Sequence, residues 1–270
     1  MIVQHNITSM NANRQLGIVG GNLAKSTEKL SSGYRINRAA DDAAGLAISE
    51  KMRAQVRGLN RASDNAQDGI SLIQTAEGAL EQQHAILQRT RELVVQAANS
   101  GVLDGEQEDD YQKIQDEIHQ LGEEFERINS DTEFNKKKLL TGDYTDQWIQ
   151  TGANDKQGIQ ISITPTTWAE PDVLVGVAAN SEVIQGVDDM IKTVTETRSK
   201  LGAYQNELEY TVKVDDNTAE NMQSAESRIR DTDMADEMTR FSKESILQQA
   251  ATSMLAQANQ ANQGVLSLLQ

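Results

Sequence analysis

No cysteine occurs in the 270 residues. Disulfides, thiolate nucleophiles and cysteine-held zinc are therefore excluded, and the fold is indifferent to the redox state of its compartment. Aromatic residues make up 4% and hydrophobic residues 37% of the chain, with a mean hydropathy of −0.57. So sparse an apolar supply argues against a thick globular core. It points to long seams between extended elements, or between copies of the chain. Positive charge is short as well: 25 Lys and Arg against 41 Asp and Glu leave a net −16. Phosphate backbones attract basic patches, so nucleic acid is not expected as a partner. No apolar run is long enough to span a bilayer, and membrane insertion is not expected either. The start, Met1-Ile2-Val3-Gln4-His5-Asn6, lacks a basic segment followed by an apolar core, so no cleaved secretory signal is expected. By itself that reads as cytoplasmic.

Proline is confined to Pro165 and Pro171, which leaves both flanks free of the strongest helix breaker. Apolar residues there recur at alternating steps of three and four. Met52, Val56, Leu59, Ala66, Ile70, Ile73, Leu80, Leu87 and Val94 form one series, and Tyr111, Ile114, Ile118, Leu121, Phe125 and Ile128 a second. Val187, Met190, Val194, Thr197, Leu201, Tyr204 and Leu208 form a third, running on less apolarly to Met222, Ala225 and Ile229. Leu247, Ala251, Met254, Ala258, Ala261, Val265 and Leu268 make a fourth. Such spacing predicts helices packed along one another. Gly33 reads as a helix stop, Asp41-Asp42 and Asp233 as caps, and the acidic stretch Asp104 to Asp110 as a favourable lead into the helix at Tyr111. Only the centre alternates apolar and polar. Trp148 to Gln150 and Ile159 to Ile163, joined by Gly152-Ala153-Asn154-Asp155, predict one small β-hairpin within 147–163. The expected fold is mainly α: long antiparallel helices in coiled-coil packing with that one hairpin. A helix from about Ala43 to Asn99 would be roughly 85 Å long at ~1.5 Å per residue, against about 50 Å for a compact domain of this size. The expected shape is an elongated rod.

Charge is missing again at the ends. From Ser245 to Gln270 no residue is charged, and in the first 30 only Arg14, Lys25, Glu28 and Lys29 are, with Leu16, Val19, Leu23 and Leu30 marking one face. A solvent-facing helix carries charge, whereas a helix surrounded by others cannot do so cheaply. Terminal helices buried in an oligomeric core fit this pattern; a flexible low-complexity tail is the other reading. No catalytic pattern accompanies it. His5, His84 and His119 form no H-E-x-x-H, and G-x-S-x-G, G-x-x-x-x-G-K and EF-hand spacings are all missing. Asp231, Asp233 and Asp236 read as helix capping in preference to metal ligation, and neither enzymatic activity nor a cofactor is expected.

The residues themselves resemble a family. LSSGYRINRAADDAAGLAISEKMRAQVRGLNRASDNAQDGISLIQTAEGAL, Leu30 to Leu80, is similar to the N-terminal region of bacterial flagellins, and RTRELVVQAANS, Arg89 to Ser100, to its continuation. AESRIRDTDMADE, Ala225 to Glu237, and ILQQAATSMLAQANQANQGVLSLL, Ile246 to Leu269, resemble the matching C-terminal region. The resemblance implies a subunit that self-assembles head to tail into the flagellar filament, the propeller of motility, and that carries no outer variable domains. The hook–filament junction protein, of the same architecture, is the alternative. It further implies secretion through the flagellar type III export channel, with a cap protein, junction proteins and an export chaperone as partners besides the chain itself. Residues 1–30 and 240–270 would form an inner filament layer, and 31–176 with 177–239 a helical rod layer. In the inner layer the seam residues Leu16, Val19, Leu23, Leu30, Leu247, Ala251, Met254, Ala258, Ala261, Val265 and Leu268 would carry assembly. By the same resemblance Gln88, Arg89, Leu93, Gln96 and Glu117 match the contacts of an animal Toll-like receptor that senses some flagellins; ordinary interhelical or intersubunit contacts are the native reading of Arg89 and Glu117. Two segments depart from the family pattern. Lys136 stands where a glycine is common after Phe134-Asn135, and Val212-Lys213-Val214-Asp215-Asp216 is unusually polar.

Overall fold

A computed structural model describes residues 6–99, 108–173 and 176–267, and for 108–110, 176–181 and 261–267 the backbone alone. Among the described residues the elements are α1 (Ile7–Ser32), α2 (Ala43–Ala97), α3 (Glu108–Asp131), β1 (Glu133–Phe134), β2 (Lys137–Lys138), β3 (Gln147–Gln150), β4 (Gly158–Ile161), α4 (Gly176–Arg230) and α5 (Met234–Ser267). The protein is mainly α, as its periodicity implies. Residues 104–107 of the acidic stretch lie outside the described residues. The chain divides into two compact units, 56–219 and 1–55 with 220–270.

In the unit 56–219 the three apolar series meet. Ala66, Ile73, Leu80, Leu87 and Val94 of α2, Ile114, Ile118 and Phe125 of α3, and Val187, Val194, Leu201 and Leu208 of α4 are buried in one cluster. Helix α2 buries a second stripe that its heptad series does not contain: Leu72, Ala76, Gln83, Thr90, Leu93 and Ala97. The reason is geometric. A helix with neighbours on two sides needs two seams, each with its own spacing of three and four. Polar bonds on the rims mark both neighbours, Arg89 to Glu117 of α3 and Arg91 to Asp188 of α4 at 2.6 Å.

The expected hairpin is present as β3 and β4, antiparallel with Trp148 opposite Gln160 and Ile149 opposite Ile159. It lies on α2, where Asn65 donates to the Gln150 carbonyl at 3.1 Å. Gly58 makes that approach possible: a Cβ there would sit 2.8 Å from the Ala153 Cβ. The chain after β4, with both prolines, closes the far side by setting Trp168 against Phe125 at 5.3 Å between ring centroids.

A second hairpin, unexpected from the sequence, joins β1 and β2 in register Glu133 to Lys138 and Phe134 to Lys137. Its two-residue turn holds Asn135 at φ 49° and Lys136 at φ 64°. Both angles are those of the tight hairpin turn that Asn-Gly favours, so the missing glycine concealed it. Lysine there bears a Cβ clash of about 1–2 kcal/mol, larger than the roughly 0.5–1 kcal/mol entropic cost of glycine. Lys136→Gly is expected to raise the unfolding free energy by about 0.5–1 kcal/mol, measured as a shift of the urea midpoint at constant slope.

Candidate assembly surface of the terminal helices

The unit 1–55 with 220–270 is held by backbone polar groups more than by a core. Helix α1 stops at Gly33, whose φ of +75° lets its N–H bond the Lys29 carbonyl at 2.8 Å. The chain then runs beside the end of α4. Arg35 N–H donates to the Arg230 carbonyl at 2.6 Å, Thr232 N–H to the Gly33 carbonyl at 3.0 Å, and Tyr34 bridges Asp231. The Arg35 guanidinium donates to the Ile229 carbonyl at 2.6 Å, satisfying a group that a helix end leaves free. Arg230 stacks its guanidinium 4.7 Å from the Tyr34 ring centroid and pairs with Glu50. The Gly33-Tyr34-Arg35 stretch and the Ile229-to-Thr232 stretch are thus two halves of one joint.

Caps fix where the following helices start. Asp42 accepts the Gly45 N–H at 2.9 Å, and Asp233 accepts the Ala235 N–H at 2.9 Å, each as expected of an N-cap. Asp41 instead accepts N–H bonds from Arg38 and Asn37, and those two bonds, with Lys25 and Lys29 nearby, hold its carboxyl below the ordinary range. Among the described residues no group of three or more His, Cys, Asp or Glu could hold a metal ion. The Asp233 carboxylate serves as the cap, and Asp231 pairs with Tyr34 through its backbone.

Helices α1 and α5 pair antiparallel. Asn6 caps α1 and donates to the Ala258 carbonyl at 3.0 Å, Ser9 donates to Asn259 at 2.7 Å, and at the other end Ser26 donates to Glu237. Leu16, Val19, Leu23 and Leu30 are half-buried along this contact, as are Ala251 and Ala258. Two members of the fourth heptad series lie on a different face from Ala251 and Ala258. Leu247 and Met254 are 40% and 60% exposed, outside the stripe that faces α1. Their places are taken by Phe241, Gln248 and Leu255, which are half-buried. At 100° per residue a helix against one neighbour presents a single narrow stripe, and 247 and 254 fall off it. The side chains of Ala261 and Val265, and Leu268 altogether, lie outside the described residues. Sequence spacing also missed Ile7, Met10, Ile18 and Ile246, which are all more than half exposed on the paired helices. Ile7 and Met10 stand between small and polar residues, and Ile18 and Ile246 sit one position from the series at Val19 and Leu247, so the spacing of three and four does not include them.

In the unit 56–219, Gln88, Arg89 and Gln96 are exposed on α2 and Glu117 is half-exposed on α3. Arg89 reaches Glu117 at 2.9 Å and Glu92 at 3.1 Å, and the Glu117 bond above all raises its guanidinium pKa. Leu93 is only 2% exposed, because it belongs to the second stripe of α2. The structure therefore brings Arg89 and Glu117 together and sets Leu93 beneath the surface.

Two regions of the chain match known family models: residues 3–145 the bacterial flagellin N-terminal helical region, and residues 184–269 the bacterial flagellin C-terminal helical region. The chain is 53% identical over 276 residues to the flagellin of Halalkalibacterium halodurans, covering 100% of both proteins. The chain belongs to the bacterial flagellins. This flagellin is also 47% identical to that of Bacillus subtilis over 305 residues and 47% identical to the flagellar filament 31.3 kDa core protein of Treponema maltophilum over 290 residues, each match covering 100% of both chains. In this flagellin the joint and the α1–α5 pair lie within the two matched regions, whereas β3 and β4 fall between them.

Ser26 and Glu237 are 6% and 5% exposed, so removing the hydroxyl leaves a carboxylate oxygen buried without its donor. Ser26→Ala in this flagellin is expected to cost about 2 kcal/mol, seen as faster amide exchange around residue 26. Ser9→Ala, at an exposed bond, is expected to cost less than about 0.5 kcal/mol.

Proposed function

We propose that this flagellin builds its filament by burying the outward faces of α1 and α5 against the same helices of neighbouring copies. That the chain is a structural subunit of a bacterial flagellar filament, made by self-assembly of identical copies, follows from its family. How the surfaces divide the work is the proposal. Residues 1–30 and 240–270 form the inner layer, and 31–176 with 177–239 the helical layer around it. One observation carries this reading. The α1–α5 pair leaves Ile7, Met10 and Ile18 of α1 exposed, and Ile246, Leu247 and Met254 on a stretch of α5 that bears no charge. Apolar surface of that kind is expensive in water and calls for more helices of like composition. Head-to-tail contacts between unlike faces then give an open helix of subunits and no closed ring. The relatives carry names of flagellins and filament core proteins, which favours the filament subunit over a junction protein.

Further partners extend the reading. The subunit leaves the cell through the flagellar export channel, escorted by a chaperone on its C-terminal helix, and adds beneath a cap protein beyond the junction proteins. An animal Toll-like receptor docks on the exposed Gln88, Arg89 and Gln96 with the half-exposed Glu117, while Leu93 from below fixes the helix face. Arginine anchors of this kind carry a large share of interface energy.

Seeded polymerisation of purified monomer tests the assembly surface. The full chain is expected to form long tubular filaments, and a chain ending at Glu244 to stay in the supernatant. Leu247→Glu with Met254→Glu is expected to block growth while leaving monomer helicity unchanged; filaments of normal length from this variant would refute the burial of α5. Arg89→Ala is expected to weaken receptor activation at least about tenfold with less than about 1 kcal/mol of lost stability, since its ion pairs are solvent-exposed.

A further inference from the structure

The seam of α4 does not stop at Leu208. Continued by alternating steps of three and four, it runs through Thr211, Asp215 and Thr218 to Met222. Asp215 therefore occupies a core position, two heptads beyond Leu201 and one beyond Leu208. It is buried there: 7% of the residue is exposed, and its Oδ2 has no hydrogen-bond partner. Register places it opposite the stretch of α2 around Ala62 and Ser63, because Ser63 donates to Asp216 at 3.0 Å and Gly69 abuts Leu208. The buried residues on that stretch of α2 are Leu59, Ala62, Ser63 and Ala66, and on the next turn of α4 Ala219, none of them charged.

Among the described residues no cation is recorded against the carboxylate. On α2, Arg61 is exposed and paired with Asp64 at 3.5 Å, and Arg57 is also exposed. On α4, Asp216 adds like charge, and Lys213 lies with its ammonium 5.5 Å from the Tyr210 ring centroid. At the β3–β4 turn beside Gly58, Asp155 and Lys156 are exposed.

We infer that Asp215 is a proton-binding position in the α2–α4 seam, loosening the helix pair when ionised and tightening it when protonated. An ionised carboxylate without a partner in an apolar seam is costly, whereas its neutral form is tolerated. Burial, and after it the charge of Asp216, raises the Asp215 carboxyl above its ordinary value. The folded chain then binds the proton more tightly than the unfolded chain does. The penalty is absent below the unfolded-state pKa, grows as pH rises through the folded-state value, and is complete above it. A polar residue at one seam position also fixes helix register at a cost in stability.

Thermal unfolding of the full chain from pH 8 to pH 4.5 tests this, with Asp215→Asn and Asp216→Asn alongside the parent. Asp215→Asn is nearly isosteric and carries no charge. It is expected to raise Tm by roughly 3–6 °C at pH 8, a gain that shrinks toward zero as the pH falls. Asp216→Asn is expected to retain most of the pH dependence of the parent, since burial is the larger cause and the charge of Asp216 the smaller. A carboxyl-carbon NMR titration is expected to place the Asp215 midpoint above the ordinary aspartate value of about 3.9. No gain at pH 8, a gain independent of pH, or a midpoint at or below the ordinary value would each overturn the proposal.

Discussion

An α-helix can keep apolar side chains out of water only along the faces that neighbours cover, and the two ends of this chain supply too few neighbours. Helices α1 and α5 cover one stripe of each other. Leu16, Val19, Leu23, Ala251, Leu255 and Ala258 lie half-buried in that contact, while Leu247 at 40% and Met254 at 60% exposure lie outside it. Half-burial is what a two-helix contact can achieve; the fully buried leucines of α2 need neighbours on two sides. The absence of charge between Ser245 and Gln270 removes the usual means by which a helix face is kept soluble. The free faces of the terminal pair are therefore left without cover within the chain, which is why the proposed assembly places further copies on them.

The polar interactions follow from that constraint. Where apolar burial is thin, position is set by directional bonds. The joint between residues 33–35 and 229–232 uses backbone donors and acceptors, an Arg35 fork on the last carbonyls of α4, and Arg230 between Tyr34 and Glu50. Backbone bonds of this kind depend little on side-chain volume and fix direction closely, which suits a place where two helices end and two begin. In the unit 56–219 the balance is reversed. Leu80, Leu87, Ile118, Phe125 and Leu201 are completely buried, and the ion pairs Arg89–Glu117 and Arg91–Asp188 lie on exposed rims, where such pairs add little stability.

Much of this was legible in the sequence, for physical reasons that also explain the misses. Periods of three and four located α2, α3 and α4 because each has an apolar seam, and Gly33, Asp42 and Asp233 marked ends because a left-handed stop and an N-cap have few alternatives in residue type. A single period does not report that α2 has two seams, so the second, to which Leu93 belongs, goes unmarked; the resemblance alone groups Leu93 with exposed receptor contacts. On α5 the apolar residues are too scattered for spacing to choose a face. The stripe toward α1 runs through Leu255 and Phe241, not Leu247 and Met254, and only the position of the partner helix decides this. The hairpin at Asn135-Lys136 was hidden because the residue in the left-handed position is not the glycine that announces such turns.

Asp215 joins the two kinds of departure. Both Lys136 and Asp215 sit where local preference disagrees with the fold, one in backbone angle and one in burial. The fold tolerates them because each is local: the turn is two residues long, and the seam on either side of Asp215 has its own buried side chains in Leu208 and Ala219. A chain whose levels otherwise agree can carry a few such conflicts without losing its unique structure. The conflict at Asp215 differs in kind, because its size depends on a proton. A strained lysine turn stays strained at every pH, whereas a buried carboxylate is in conflict with its seam only while it is charged. A seam of otherwise fixed composition thereby acquires a strength that the surrounding solution can change.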